Sequence, residues 1–168
     1  NIACINAQFS KHEVIRKHLS KWLRLTYGAK LMDTLRMLTH RKFSAFFDPH
    51  LPNSYLKQTF EDVWRAFPDE LSATSRTRFR SVNDVSQYLF RYWQLATGDF
   101  SPLNTSRYAK FYEVAEGTID DIENCIRKQD VEMLVLNDSA EIENFDELKR
   151  RVCEAFEEIL PQKSVFEL

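Results

Sequence analysis

The sequence has 168 residues, of which 43% are hydrophobic, 29% charged and 13% aromatic, so it is long enough for one packed domain and excludes a disordered chain or a fibrous repeat. Only three glycines occur, against the ~7% that is usual, which excludes a glycine-built phosphate loop and favours helices. No apolar run approaches the ~20 residues that span a bilayer. The three cysteines lack metal or disulfide spacing, which favours a reducing, cytoplasmic location.

Charge is distributed unevenly, although the formal net charge is only −2. Residues 1–48 contain nine Lys or Arg and three Asp or Glu, residues 49–107 contain seven and six, and residues 108–168 contain seven and sixteen. The basic first segment can meet anionic lipid or a phosphorylated ligand, or it can neutralise the acidic last segment within the fold. Nucleic acid is not an expected partner, because the isoelectric point is about 6.1 and no basic-aromatic signature of a nucleic-acid fold occurs.

Helical periodicity dominates the first two thirds of the chain. Apolar residues recur at three- and four-residue steps between Lys11 and Leu38, which predicts two helices. The first would begin after Ser10 as N-cap and reach Leu25, and Gly28 would separate it from the second.

Two more helices are predicted before residue 100. Residues 54–67 have the helical period, and Pro68 is predicted to end that helix. Residues 85–96 form the clearest helical pattern, which stops at Gly98. Two residues just before this helix are candidate N-caps, namely Asn83 and Asp84.

The last third changes to a strand–helix alternation. Residues 110–115 and 132–137 read as short strands, and residues 119–128 and 145–160 read as the helices that follow them. This spacing predicts a parallel βαβα unit. Because two parallel strands make a poor core alone, we expect them to extend a larger parallel sheet. The predicted fold class is α/β, predominantly helical, with a helix-rich first two thirds followed by the βαβα unit.

A histidine between prolines is the first candidate for chemistry. His50 lies between Pro49 and Pro52, which restrict the backbone to an extended or turn conformation. An imidazole held in one direction suits acid–base work or contact with phosphate, although a histidine in a proline turn is also often structural.

Three arginines on alternate residues are the second candidate. Residues 71–80 are polar and predicted to form a loop, so Arg76, Arg78 and Arg80 would project to one side of an extended backbone while Phe79 turns to the core. Guanidinium groups in such a row suit phosphate or pyrophosphate, whereas a solvated loop is the plain alternative.

Polar residues follow the second predicted strand. Asn137 and Asp138 come directly after an apolar run, at the strand end where open α/β sheets place ligands. An aspartate there can bind a metal or cap the next helix, and capping is the commoner use.

These residues belong to a longer pattern, whose four parts occur in a fixed order: Asp-Pro-His50-Leu-Pro52; Arg78-Phe-Arg80-Ser-Val-Asn-Asp84 with Tyr88-Leu-Phe-Arg-Tyr-Trp-Gln-Leu; Val135-Leu-Asn-Asp138; and Leu160-Pro-Gln-Lys-Ser164-Val-Phe166-Glu167. The pattern resembles the third and fourth conserved regions of the Stealth family, over most of residues 40–168. That family contains bacterial capsular polysaccharide phosphotransferases. Each part is unspecific alone, but four in this order are specific.

The resemblance implies an activity and a site. Stealth proteins transfer a hexose-1-phosphate, usually N-acetylhexosamine-1-phosphate, from a UDP-sugar to a glycan hydroxyl and release UMP. By this likeness His50 and Arg80 are the catalytic residues, and a divalent metal, Mg²⁺ by expectation, is held partly by residues outside this chain. The substrate-binding candidates are Arg76, Arg78, Asn83 and Asp84, and the further candidates are Asn137 and Asp138.

The same likeness makes this chain an expected excerpt, because the first two conserved regions of the family are not in it. Residues 1–168 would be one part of a larger catalytic domain, inactive alone. They would comprise a basic helical segment at 1–48, a His/Arg motif region at 49–107 and an acidic βαβα segment at 108–168.

Two alternatives remain open. In the first, the chain is a non-catalytic binding module whose basic N-terminal half docks on an anionic membrane or a phosphorylated ligand, and the amphipathic stretch from Lys11 to Arg24 would suit an interfacial helix. Peripheral contact with the inner membrane would also suit capsule synthesis from the cytoplasm. In the second, the chain is a scaffold within the same family, and its arginines are individually replaceable.

Overall fold

The computed structural model describes residues 1–79, 81–138 and 142–166, and it divides the chain into two compact units. Unit 1 comprises Asn1–Phe47 and Pro52–Asn104, and unit 2 comprises Asp48–Leu51 and Thr105–Leu168. The four residues around His50 therefore belong to unit 2, although their neighbours on both sides belong to unit 1.

Unit 1 is helical throughout its described elements. Short 3₁₀ turns also occur at Leu25–Tyr27 in this unit and at Thr105–Arg107 in unit 2. The helices are α1 (Ile2–Gln8), α2 (Lys11–Lys17), α3 (Leu19–Trp22), α4 (Lys30–Leu38), α5 (Lys57–Ala66), α6 (Pro68–Arg76) and α7 (Tyr88–Thr97).

Helix α7 lies at the centre of the hydrophobic core of unit 1. Its sequence is apolar on nearly every face, which is typical of a buried helix, and Leu89 is fully buried. Trp93 meets Phe9 edge to face at 4.8 Å between ring centroids, and Tyr92 stacks on Phe46 at 4.6 Å. Such aromatic contacts add to the stabilisation from area burial. The predicted stop at Gly98 is confirmed, since Gly98 is the left-handed C-cap residue.

The single helix predicted after Ser10 is wrong. It is divided at His18 into α2 and α3, Ser10 makes no side-chain cap, and α1 was not predicted at all. The His18 ring lies so close to Gly98 that any Cβ there would overlap it. This tertiary contact accompanies the break and has no signal in the local sequence. Gly28, with φ at +58°, does separate the two periodic stretches as predicted.

The loop predicted over residues 71–80 is also wrong as far as Arg76. Pro68 occupies the first position of α6 rather than only ending α5, because a proline at N1 loses no helical hydrogen bond. Asp69 and Glu70 in the first turn interact favourably with the positive end of the helix dipole, and Leu71 is buried. The hydroxyl of Thr74 donates back to the carbonyl of Glu70 at 2.9 Å, so the polar residues remain compatible with helix.

Unit 2 contains the predicted βαβα unit. Its elements are β1 (Ala109–Val114), α8 (Ile119–Lys128), β2 (Met133–Asp138) and α9 (Phe145–Ile159). The strands pair in parallel, in a register from Ala109 opposite Met133 to Val114 opposite Asp138. Ile122, Ile126 and Ala155 form the buried centre between the helices and the sheet. The fold class, α/β and predominantly helical, is confirmed, and the extension into a larger sheet stays a prediction.

A charge network joins α8 to α9. The Arg151 guanidinium donates to both Glu123 carboxylate oxygens, at 2.9 and 2.6 Å, and to Asp120 at 2.6 Å. Arg127 lies 3.4 Å from the same Glu123 carboxylate. The hydrogen bonds from Arg151 are the main cause that holds the pKa of Glu123 below its ordinary value.

This lowered pKa predicts acid-sensitive packing of α8 on α9. The folded-state pKa of Glu123 lies below the unfolded value, so its contribution to stability is present above about pH 4.5, the ordinary glutamate value, and is lost as the pH falls through the folded pKa. We expect Glu123→Gln to lose less melting temperature between pH 7 and pH 3 than the unmodified chain. Glu154→Gln is the matched control, because Glu154 is half exposed and pairs with Arg150. Equal losses in all three would contradict the prediction.

Candidate functional site

His50 occupies a strained backbone position. Its φ of +50° lies in the left-handed region, which side chains other than glycine rarely adopt and which costs on the order of 1–3 kcal/mol. Histidine is among the residues that enter this region more readily. The imidazole is exposed, and its ring lies 5.7 Å from that of Phe111 on β1, within unit 2. The next residue, Leu51, is buried and anchors the turn.

A guanidinium from α7 holds both residues that flank this turn. Arg91 donates from Nη2 to the carbonyl oxygen of Phe47 at 2.9 Å and from Nη1 to Oδ1 of Asn53. All three residues belong to unit 1. The ends of the segment that bears His50 are therefore joined through one side chain.

The segment after α6 is organised by the Asp84 carboxylate. Oδ2 accepts from the Ser81 amide at 2.7 Å, Oδ1 accepts from the Ser81 hydroxyl at 2.9 Å, and the Thr77 hydroxyl lies 3.3 Å from Oδ2. Asp84 thus binds Thr77 and Ser81 and does not cap α7, whose N-cap position is Gln87. Asn83 is exposed in the same segment. The predicted role of both residues in substrate binding stays a prediction.

The predicted row of three arginines is wrong in part. Arg76 is the last residue of α6 and not part of an extended strand, and Phe79 is 78% exposed instead of buried. Arg78 is exposed beside Phe79, with its guanidinium carbon 5.5 Å from the ring centroid. Neither Arg76 nor Arg78 forms an ion pair or hydrogen bond with its side chain to another residue in the described ranges. Arg80 lies outside the described residues.

Asn137 and Asp138 end β2, as predicted, and both are exposed. The Asn137 amide donates to the backbone carbonyl of Asp138 at 3.2 Å. Asp138 does not cap the next helix, because Asn144 accepts from the Glu147 amide at that position. Over residues 1–79, 81–138 and 142–166, no three His, Cys, Asp or Glu side chains are grouped so that they could hold a metal ion.

The predicted residues therefore fall into two groups. Unit 1 contains Arg76, Arg78, Asn83 and Asp84 within nine consecutive positions. Unit 2 contains His50, Asn137 and Asp138. Each group lies in its own unit, at a helix end, a turn or a strand end.

A basic groove on unit 1 was not predicted from the sequence. This groove is open to solvent, has a volume of about 600 Å³ and is lined by Lys11, His40, Arg41 and Lys42 together with neutral residues, with no carboxylate among the lining residues of the described chain. Arg41 and Lys42 are exposed and form no ion pair with another described residue. The only feature of the sequence that indicated an anion-binding groove here is the excess of positive charge in residues 1–48.

Lys11 lines this groove but is buried, whereas its place on the polar face of the amphipathic pattern predicts an exposed side chain. It is 6% exposed, and Nζ donates to the carbonyl oxygens of Met37 at 2.8 Å, Leu38 at 3.1 Å and His40. Burial lowers the pKa of this ammonium group. Lys21 likewise donates to carbonyls at Gly98 and Phe100. Lys11 and Lys21, two cations of the amphipathic stretch from Lys11 to Arg24, are thus engaged inside unit 1.

None of the helices in the described ranges combines the length and the apolar character needed to cross a bilayer.

Comparison with known proteins gives a consistent result. A family model described as Stealth protein CR3, conserved region 3, matches residues 49–94. The chain is 35% identical over 168 residues to the exopolysaccharide phosphotransferase cps2G of Lactiplantibacillus plantarum and 33% identical over 167 residues to the capsular polysaccharide phosphotransferase WcwK of Streptococcus pneumoniae. It is 28% identical over 169 residues to the receptor polysaccharide phosphotransferase WefC of Streptococcus gordonii.

These alignments cover 99%, 99% and 100% of this chain but 49%, 49% and 50% of the three relatives. The chain therefore spans about half the length of the curated relatives it matches. The matched family region contains His50, the arginines at 76, 78 and 80, and Arg91.

Proposed function

Because the chain belongs to the Stealth protein family, whose third conserved region it carries at residues 49–94, we propose that it forms part of a phosphotransferase of capsular or exopolysaccharide synthesis. The proposed reaction transfers a hexose-1-phosphate, N-acetylhexosamine-1-phosphate by preference, from a UDP-sugar to a hydroxyl of a glycan and releases UMP. The observation that carries the proposal is the similarity, over nearly all of this chain, to relatives named polysaccharide phosphotransferases.

The proposed chemistry needs fixed positive charge and a group that handles a proton. Attack of the glycan hydroxyl on the β-phosphorus places charge on its non-bridging oxygens, and guanidinium groups stabilise such charge through paired hydrogen bonds. Arg80 is proposed for this role at the reacting phosphate. The exposed guanidiniums of Arg76 and Arg78 are free to bind the rest of the donor, and Asn83 and Asp84 form the turn beside them.

His50 is proposed to contact the reacting groups directly. Its imidazole either accepts the proton of the attacking hydroxyl or donates a hydrogen bond to a phosphate oxygen. Its exposure and left-handed backbone support the proposal, because strained positions of this kind cluster at functional sites.

Mg²⁺ is part of the proposal as the ion that neutralises the pyrophosphate of the donor. The residues of this chain do not form its site by themselves, since no suitable group of three ligands occurs in the described part. Asp138 and Asn137, at the exposed end of β2, are candidates for a partial contribution. The remaining ligands would come from elsewhere in the full-length protein. A UDP-sugar donor also favours the cytoplasm, with peripheral contact at the inner membrane, as the proposed location.

Identifying the released nucleotide tests the proposed reaction. A full-length protein that carries this chain is incubated with UDP-N-acetylhexosamine, a glycan acceptor and Mg²⁺, and the products are separated by chromatography. We expect UMP, and we expect Arg80→Ala to abolish its release. UDP would instead indicate ordinary glycosyl transfer, and the absence of both nucleotides would contradict a donor of this class.

The basic groove favours a second candidate function, namely binding of a phosphorylated ligand without catalysis. Two exposed cations, Arg41 and Lys42, line it without a carboxylate among the lining residues, and such a pair attracts polyphosphate. In calorimetry, we expect pyrophosphate to bind the full-length protein and Arg41→Ala/Lys42→Ala to weaken that binding at least tenfold. Lys149→Ala, which removes an exposed charge on α9, is the control.

Two results would contradict this second candidate. One is equal pyrophosphate affinity in the double variant and the control. The other is a requirement for vesicles of anionic lipid, seen as flotation at low salt without binding of free pyrophosphate, which would make the groove a membrane contact.

A further inference from the structure

We propose that Arg91 is a positioning residue for His50, acting through the two residues that flank the histidine's turn. The inference rests on the proposed function, in which His50 contacts the reacting groups. It adds a residue for which the row of arginines at 76, 78 and 80 gave no indication, since Arg91 lies on a different element, in the middle of α7.

One side chain holds both ends of the segment that bears His50, and the two hydrogen bonds that Arg91 donates are called the clasp. One guanidinium donates to the carbonyl of Phe47 at 2.9 Å and to the side chain of Asn53. Between these two contacts lie the five residues from Asp48 to Pro52, with His50 at their centre. A planar guanidinium offers several donors in a fixed fork, so a single side chain can hold both ends at a set separation.

The backbone that carries Arg91 is packed in the core of unit 1. Arg91 follows Phe90 and precedes Tyr92, both of which are buried in the core of unit 1. Phe90 stacks on Phe60 at 4.4 Å between ring centroids, and this contact fixes α7 against α5. The guanidinium therefore starts from a backbone that has little freedom to move.

The segment between Phe47 and Asn53 contains a backbone conformation that must be held in place. The φ of His50 is +50°, and Pro49 and Pro52 fix their own φ near −65°, so few conformations of the segment connect Phe47 to Asn53. With its ends held, the left-handed residue keeps one imidazole direction. With an end released, the backbone can relax to negative φ, and the imidazole then points elsewhere.

The expected kinetic signature follows from this role. Misplacement of a reacting group by about 1 Å can cost on the order of 10²-fold in rate. We expect Arg91→Gln in the full-length protein to lower kcat by about 10- to 100-fold and to change KM for the UDP-sugar less than threefold. Asn53→Ala, which removes one of the two held ends, should lower kcat by a smaller factor. Arg65→Gln, on α5 and paired with Asp62, is the matched control and should retain kcat.

A double-mutant cycle separates positioning from a structural role. If Arg91 acts through His50, Arg91→Gln changes kcat less than threefold in the His50→Ala background, because the group that it positions is gone. A loss of the same size in both backgrounds overturns the inference. Melting temperatures of all variants confirm that the comparison is between folded proteins.

A second measurement works without activity. In full-length protein labelled at histidine, the His50 ring resonance, identified by its loss in His50→Ala, should shift in Arg91→Gln and Asn53→Ala but not in Arg65→Gln. An unchanged resonance in Arg91→Gln overturns the inference. A shifted resonance together with near-normal activity of His50→Ala leaves the positioning intact and removes His50 from the proposed function instead.

Discussion

Replacing His50 with alanine in a full-length protein that carries this chain is expected to lower kcat by about 10²- to 10⁴-fold, the loss that follows removal of a general acid or base. The physical reason is that the proposed attack needs a group to take the proton of the glycan hydroxyl or to donate to phosphate. The imidazole is exposed at a left-handed turn, where it can reach a bound ligand. Initial rates of UMP release measure the effect.

His12→Ala is the control for this variant, because His12 is likewise an exposed histidine and lies on α2, in unit 1. It should retain kcat. Circular dichroism establishes that His50→Ala is folded. A loss of less than tenfold in a folded His50→Ala protein would return His50 to a structural role in its proline turn.

Arg80→Lys is expected to lose most of the activity, by about 10²- to 10³-fold, which is typical when one donor to a developing oxyanion is removed. Lysine keeps the positive charge but lacks the planar fork that donates two hydrogen bonds to one phosphate. The conservative change therefore tests geometry and not charge alone. UMP release, with donor and acceptor both saturating, is again the measurement.

Arg65→Lys provides the comparison for Arg80→Lys, since Arg65 is an exposed arginine on α5 that pairs only with Asp62 in the described contacts. Near-normal turnover of Arg80→Lys would remove Arg80 from the site. If Arg76→Lys and Arg78→Lys were also active, the chain would be a scaffold within the family, and the chemistry would belong to the rest of the protein.

The elements that the sequence predicted well are those whose own pattern decides them. Residues 119–128 have a strong helical period with acidic residues in the first turn and basic residues in the last, and α8 has those bounds. The two strands of unit 2 shift by only one residue from their predicted positions. In both cases local propensity and burial point to the same structure.

The errors arise where the local structure depends on a contact far along the chain, or on a residue that suits two kinds of local structure. Pro68 is equally compatible with the end of α5 and the start of α6, and the apolar period before it favours only the former. The break at His18 goes with packing against Gly98, far along the chain. The burial of Lys11 depends on three carbonyls at the end of α4, which its own helix gives no reason to expect.

The candidate site divides in the same way. The prolines around His50 indicated a constrained histidine, and its left-handed backbone agrees with that expectation. The Arg91 clasp could not be predicted, because it depends on where the carbonyl of Phe47 and the amide of Asn53 lie in space. The roles of Arg76, Arg78, Arg80, Asn83 and Asp84 remain predictions for the experiments above.

The membership of residues 48–51 in unit 2 bears on the order in which this protein folds. The rest of unit 2 begins only at Thr105, so the His50 turn joins partners that emerge from the ribosome much later. The β1 and β2 strands, in contrast, pair over a short stretch of chain. Closing short loops precedes closing long ones. We therefore expect the βαβα unit to form before the histidine turn packs against it, with His50 among the last residues to reach its native conformation.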